Sequence, residues 1–408
     1  MPTAGKSTRR ETRTVTTSNA LPGSLPPAVG RPGKRRTGSA KSVRRGVLRF
    51  LTRSGQTVRA ASRTAVFFLK VLPMLPSSGL DRFTPRPVVE RLSYPTRHGP
   101  AEGDLYRPAT PGPHPAIVVC LGVVPFEVDH PQVPRLGEAL ARAGFAALLY
   151  WSPAMRDLRL DEEDIDNIAL AYDRLLLQPY VDSPRSGLLG TCVGGSFALM
   201  AAAHPLIRDR AGFVAAFAPY ASMSTLAVAI ASSTRDGRKP WQVDQLTRAV
   251  YTRSLTAELE PREAEVVRNS LADGGSPINQ RDLSRQARLI LPLLDALRPG
   301  KAEAALRRLP LALRDRLERL SPVNYLDDIH APLIIIGHDR DDSVIPVDES
   351  RRLWAALSGR PGVRYTEFGM FQHADPTKKK LPLPRLLHEF GKFYRYAYPI
   401  FRQAVSAP

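Results

Sequence analysis

Apolar residues recur along this chain in two rhythms. Short runs of strand length stand at Ala116-Ile117-Val118-Val119-Cys120-Leu121, Phe145–Tyr150, Ser186-Gly187-Leu188-Leu189, Phe213–Phe217 and Leu333-Ile334-Ile335-Ile336-Gly337, with Arg364–Phe368 as a less apolar companion. Between them, apolar positions return every three or four residues, the spacing of one helix face. Pro134–Ala143 has this pattern and is closed by Gly144. A further helix opens with Asp161-Glu162-Glu163-Asp164 at its positive end and lines one face with Ile165, Ile168, Tyr172, Leu175 and Leu176. Continuous apolar strands alternating with helices predict crossover units, hence an α/β fold with a mostly parallel, doubly wound sheet.

Two longer stretches depart from this alternation. From about Ser224 to Tyr325 the pattern is helical throughout, with segments Gln242–Leu255, Pro261–Leu271, Gln280–Leu297 and Lys301–Leu320 rich in Arg and Glu. Near the end, Pro384–Ala397 places Leu386, Leu387, Phe390, Phe393 and Ala397 at helical spacing and Arg385, Glu389 and Lys392 on other faces. A closing helix packed on the sheet is the reading.

The candidate chemistry sits where strands end. Gly190-Thr191-Cys192-Val193-Gly194-Gly195 follows one apolar run and leads into the Ala-rich stretch Ser196–Ala203. A strand that turns this sharply into a helix strains its apex residue and needs small neighbours. The apex here is Cys192, set where helix N–H groups favour negative charge. Asp342, just past the run ending at Gly337, is the chosen acid, with Asp339 and Asp341 as fallbacks. His373 lies beyond Arg364–Phe368, 31 residues after Asp342. Nucleophile, acid and histidine in that order suit a thiol attacking a carbonyl, an imidazole moving its proton and a carboxylate orienting the ring. Among the other histidines, His98, His114 and His388 read as surface residues. His204 reads as a helix C-terminal cation, and His338 is set aside because it shares the acid's loop.

On these residues, the passage from about Val88 to Arg395 resembles an α/β-hydrolase of the dienelactone hydrolase type, in which cysteine replaces serine at the elbow. Tyr180–Gly187, Ser321-Pro322-Val323-Asn324-Tyr325 before Ala331-Pro332, and Asp342 four residues before Pro346 add to the likeness. The resemblance implies an α/β-hydrolase fold and a catalytic triad of Cys192, Asp342 and His373. It also implies an oxyanion hole from the backbone of Val193 with Gly122 or Val123. Two features depart from it. The glutamate that family members carry after the third strand has no counterpart in Leu121-Gly122-Val123-Val124-Pro125, with Glu127 out of register. In addition, 150 residues separate Cys192 from Asp342. The extra length is residues 224–325, which such proteins use as a helical cap; an oligomerisation surface is the other reading. The implied activity is carboxylic ester, thioester or lactone hydrolysis through a covalent acyl-enzyme, without cofactor or metal. Two alternatives stay open: acyl transfer, because the elbow is also similar to that of polyhydroxyalkanoate synthases, and a non-catalytic binding protein on the same fold.

Composition adds bounds. With 408 residues and 43% hydrophobic content the chain can bury a large core. Its two cysteines, Cys120 and Cys192, argue against a disulfide scaffold and for a reducing, cytoplasmic setting. The net charge of +19 is concentrated in residues 1–70, where four Lys and twelve Arg face the single acid Glu11, so the remainder holds only +4. Residues 1–80 therefore read as a basic tail, disordered through about Arg45 and with an amphipathic helix over Val47–Leu75, ahead of a hydrolase domain at 81–408. That helix could pack on the domain or lie on an anionic membrane as a peripheral contact. Nucleic acid is not expected as a partner, and no apolar run reaches the roughly 20 residues of a membrane span.

Overall fold

The computed structural model describes residues 39–72, 82, 84–123, 130–271, 278–295, 297–373 and 381–405, with side chains from residue 54 onward. By its contacts the chain divides into residues 1–51 and 52–408. Of the first unit only the start of helix α1 (Ser39–Val71) is described. The expected disordered tail and Val124, Pro125 and Glu127 lie outside the described residues.

In the second unit the apolar runs become strands of one eight-stranded sheet. They are β1 (Val88–Thr96), β2 (Gly99–Arg107), β3 (His114–Cys120), β4 (Ala146–Tyr150), β5 (Val181–Thr191), β6 (Phe213–Phe217), β9 (Ile334–Asp339) and β10 (Val363–Phe368), in the order β1-β2-β4-β3-β5-β6-β9-β10. The short strands β7 (Thr234–Arg235) and β8 (Lys239–Pro240) pair separately. From β4 to β10 every pairing is parallel, while the hairpin β1–β2 joins antiparallel at one edge. This is the α/β-hydrolase fold with its mostly parallel doubly wound sheet. The parallel register brings Cys120 opposite both Tyr150 and Gly190, Thr191 opposite Phe217, and Asp339 opposite Phe368. The loops that follow β3, β5, β9 and β10 thus leave from one edge, the carboxyl edge where such sheets carry their sites.

Alternation along each strand sends side chains into two cores. Val118, Cys120 and Leu148 join the cluster built with α4 (Glu163–Leu176) and α5 (Val193–Ala202). Ile117, Val119 and Leu149 join the cluster containing α2 (Gln132–Arg142), the closing helix and the end of α1. A four-residue turn of helix, α3 (Pro153–Arg156), leads from β4 toward α4.

Several expectations change at this level. Along α1 and just past its end, Ala60, Thr64, Phe67, Phe68 and Leu72 are buried within the protein. The Phe68 and Phe393 ring centroids are 4.5 Å apart, and Lys70 pairs with Glu138 at 2.9 Å. Phe67 and Phe68 thus pack on Phe401 and Phe393 near the end of the chain, in line with one of the two readings open for this segment. His114 is buried, not superficial, with its Nε2 bonded to the Thr110 carbonyl at 2.8 Å. Asp164 is more than a helix-end acid, because it is buried and receives the hydroxyls of Tyr150 and Ser152; burial pushes its carboxyl up to about 6.

The insertion forms α6 (Met223–Ser232), α7 (Gln245–Leu255), α8 (Pro261–Ser270), α9 (Arg285–Leu294), α10 (Pro299–Arg308) and α11 (Leu311–Arg319), followed by a 3-10 stretch Pro322–Asp328. The single helix expected over Lys301–Leu320 is two, because Pro310 forces Leu309 out of helical geometry, to ψ 149°. The segment Gln280–Leu297 is likewise divided, with Ser284 capping α9 by accepting from Ala287 N.

The closing helices are α12 (Val347–Ala356) and α13 (Leu383–Val405). The latter runs past Ala397 and through Pro399, because Ile400, Phe401 and Ala404 anchor its last turns in the core. Leu387 is exposed, whereas Glu389, expected on an outer face, is buried and satisfied by Gly369 N at 2.8 Å and Lys392 Nζ at 2.7 Å. No helix among the described residues is long and apolar enough to cross a membrane.

Candidate active site

The turn between β5 and α5 holds Cys192 at φ 57° and ψ −138°, a left-handed backbone that costs a non-glycine residue about 1–3 kcal/mol. Neighbouring contacts impose it. Cys192 N donates to Phe217 O at 2.8 Å, and Gly195 N donates to Cys192 O at 2.9 Å. Gly194 packs so tightly that a Cβ there would stand 2.3 Å from Cys120 O and 2.5 Å from Gly122 N. Gly194→Ala is therefore expected to destabilise the fold by about 2–4 kcal/mol, since backbone atoms cannot yield as a side chain can. A thermal-melt comparison with wild type checks this, and an unchanged midpoint would refute the described packing.

The acid loop follows β9. Asp342 is buried, and each carboxylate oxygen has two neighbours. Oδ1 accepts from Val344 N at 2.7 Å and Ile345 N at 3.0 Å, while Oδ2 lies 2.8 Å from His373 Nδ1 and 3.3 Å from His338 Nε2. Burial alone would raise its pKa, but the flanking His373 and His338 outweigh burial and hold the carboxyl below the usual aspartate range. The two fallback acids have other positions. Asp339 accepts from Phe371 N at 2.6 Å and Asp341 N at 3.0 Å, so it ties the histidine's loop to the end of β9, while Asp341 is exposed.

His373 also has a left-handed backbone, at φ 64°. Its Nδ1 lies 2.8 Å from Asp342 Oδ2, and Cys192 is near enough to act on the charge of the ring. Burial opposes its charging, yet Asp342 and Cys192 together hold its pKa well above the usual histidine range. The structure thus brings together Cys192, His373 and Asp342 and leaves Asp339 and Asp341 apart.

Of the proposed backbone donors, Val193 is the first residue of α5, where the N–H has no helical partner. Gly122, at φ 76°, lies against the elbow: a Cβ there would be 2.7 Å from Thr191 O and 3.3 Å from Cys192 Cβ. Val123 lines the cleft above the cysteine. Among the described residues, no group of three or more His, Cys, Asp or Glu is placed to hold a metal ion.

A small cleft over Cys192 has about 40 Å³ of free space. One wall is Met223, Leu226 and Ile230 of α6 with Leu246, Val250 and Tyr251 of α7, and the other includes Val344 and Ile345 beside the acid. The insertion is also tied to the acid loop. Trp241 Nε1 donates to Asp342 O at 3.0 Å, Asp244 N to Ser343 O at 3.0 Å and Thr247 Oγ1 to Val344 O at 2.9 Å. Sequence reasoning missed this clamp because no periodicity relates residue 241 to residue 342. His338, which it set aside, has its Nδ1 2.6 Å from Ser350 Oγ and its Nε2 2.9 Å from the Ile345 carbonyl. Its one signal was a titratable residue at the end of an unbroken apolar strand.

No family model matches the chain. A mouse (Mus musculus) bile acid-CoA:amino acid N-acyltransferase is 29% identical over 131 residues, 32% of this chain and 30% of its own length. Two solved structures share the fold at a TM-score of 0.50. The Pyrococcus horikoshii acylaminoacyl peptidase, in an orthorhombic crystal form, is 16% identical and matches 81% of this chain and 44% of its own. An acylaminoacyl peptidase in complex with Z-Gly-Gly-Phe-chloromethyl ketone is 14% identical, with 79% and 42% matched. The chain thus spans under half the length of these relatives, and the likeness to the solved structures is one of fold.

Proposed function

We propose that this protein cleaves acyl thioesters and esters through a covalent acyl-cysteine. Cys192 Sγ attacks the acyl carbonyl, and the oxyanion is held by Val193 N–H with Gly122 or Val123. The His373 imidazolium gives its proton to the departing thiolate or alkoxide, leaving the acyl group on Cys192. Neutral His373 then takes a proton from water, whose hydroxyl displaces Cys192 and releases the acid. Asp342 keeps Nδ1 protonated throughout, so that Nε2 is the atom that exchanges protons. The observation that carries this reading is a strained cysteine in an apolar cleft, electrostatically coupled to a histidine that is itself bonded to a buried carboxylate. The apolar lining favours an acyl chain over a polar lactone, so the likeness to dienelactone hydrolases extends to the elbow and less well to the substrate. Incubation with acyl-CoA and p-nitrophenyl esters should yield free acid and, on rapid quench, a mass increase of one acyl group on the peptide containing Cys192. Turnover with no adduct, and undiminished in Cys192→Ala, would overturn it.

A second reading is favoured by the N-acyltransferase match: the acyl-cysteine passes to an amine or alcohol instead of water. Adding amino acids or alcohols to the acyl-CoA reaction and weighing the products separates the two.

A further inference from the structure

We propose that His338 is a positioning residue of the site, holding the acid loop in place and sharing with His373 one carboxylate oxygen of Asp342. The proposal deepens, and rests on, the reading of Cys192, His373 and Asp342 as one catalytic unit. His338 is fully buried at the end of β9, so it acts through Asp342 rather than on substrate. Its Nε2 has two acceptors before it, Ile345 O at 2.9 Å and Asp342 Oδ2 at 3.3 Å, and therefore carries a proton whatever the charge of the ring. Asp342 Oδ2 is thus flanked by two imidazoles, since His373 Nδ1 lies 2.8 Å away. At the other end of the His338 ring, Nδ1 is 2.6 Å from Ser350 Oγ, and that hydroxyl is 3.1 Å from Pro219 O. The ring is fixed by α12 at one end and by the acid loop at the other.

This placement bears on both position and charge. Ile345 N donates to Asp342 Oδ1 at 3.0 Å, so a donor held on Ile345 O fixes the carboxylate along with its loop. The proton on Nε2 also competes with His373 for the charge on Oδ2. A neutral His338 competes through its N–H dipole and a charged one through its full charge, so in either state it weakens the pull of Asp342 on the His373 proton. Cys192 of the elbow also acts on His373, and Tyr220, in the loop after β6, faces Cys192 as a phenol kept neutral by burial. Of the neighbouring acids, Asp339 accepts from Phe371 N and Asp341 N, and Glu349 from Ala221 N, Ser222 N and Thr225 Oγ1. These groups are the same in wild type and in variants at residue 338.

The test compares His338→Gln, whose amide reaches about as far as Nε2, with His338→Asn, which is one methylene shorter and meets Ser350 but falls short of Asp342. His338→Asn is expected to lower kcat for an acyl thioester by about 10–100-fold with little change in KM, and to move the alkaline limb of kcat/KM to higher pH. His338→Gln should restore both. A purely structural role would lower the melting temperature and the amount of active protein in both variants and leave the limb in place, which would overturn the proposal. Histidine NMR titrations of the resting protein do not depend on turnover. A His373 midpoint that rises in His338→Asn and returns in His338→Gln supports the proposal even if Cys192 is never acylated and the catalytic reading fails. A midpoint unmoved or lowered in His338→Asn overturns it even if Cys192 is acylated. Should neither variant fold, wild type still decides: proton–nitrogen correlation spectra should show His338 protonated at Nε2 near neutral pH, and a bare Nε2 overturns the proposal.

Discussion

Cys192→Ala is expected to lower kcat/KM for an acyl thioester by about 10³–10⁶, since removing a nucleophile leaves only the contribution of binding and backbone donors. His373→Ala should cost a comparable amount. The two losses should not add, because attack by sulfur and proton transfer by the ring are one step. Neither substitution leaves a buried charge without recourse: Asp342 keeps Val344 N, Ile345 N and His338 when residue 373 is truncated. A melting temperature near wild type would therefore accompany the loss of rate in Cys192→Ala, a combination that separates a chemical role from a packing role, while His373→Ala should also melt lower below about pH 6.5, where the charged ring stabilises the fold through Asp342. If Cys192→Ala retained more than about a tenth of the rate, the sulfur would be a wall residue, and the strain at φ 57° would need another explanation.

Much of this site could be read before any coordinates, and the reason is local. Cys192, Asp342 and His373 each follow a strand within a few residues, and the parallel sheet carries all such positions to one edge. Small residues packed around the turn make the elbow equally local, because Gly190 and Gly194 cannot accept a side chain there. What escaped is what depends on long-range packing. Nothing near Trp241 announces that its indole will hold the carbonyl of Asp342, and nothing near Glu389 announces that it will receive Gly369 N on the way to His373. The helical face read over Leu386–Ala397 treated burial as a property of apolar residues, whereas the buried acid is stabilised by two donors and Leu387 points away from the core. The hairpin β1–β2 was missed because an edge pair that is half exposed lacks the continuous apolar run that marked the inner strands.

The acid's contribution is tested best through pH. In wild type, His373 is held charged beyond the ordinary histidine range, although burial acts against it, because Asp342 and Cys192 lie on either side. If the imidazolium donates the leaving-group proton, kcat/KM should persist above about pH 6.5, the unperturbed histidine value, and fall only as pH rises through the raised pKa. Asp342→Asn removes the strongest influence opposing burial, so the alkaline limb should move to lower pH. The asparagine Oδ1 can still accept from Val344 N and Ile345 N, but its amide then faces His373 Nδ1 as a donor. That arrangement favours the tautomer protonated at Nε2, which cannot take a proton from the nucleophile or water, and a loss of about 10²–10⁴ in rate at neutral pH follows. Stability should respond with a definite sign. The lowered pKa of Asp342 gives stabilisation that is present above about pH 3.9 and lost as pH falls through the folded value, while the raised pKa of His373 gives stabilisation present below about pH 6.5 and lost as pH rises through its folded value. The melting-temperature gap between wild type and Asp342→Asn should therefore be widest between about pH 4 and 6.5 and narrow on both sides. A rate profile whose alkaline limb stays in place in Asp342→Asn would show that the carboxylate does not govern the charge on the ring, and the relay from Asp342 through His373 to Cys192 would fail with it.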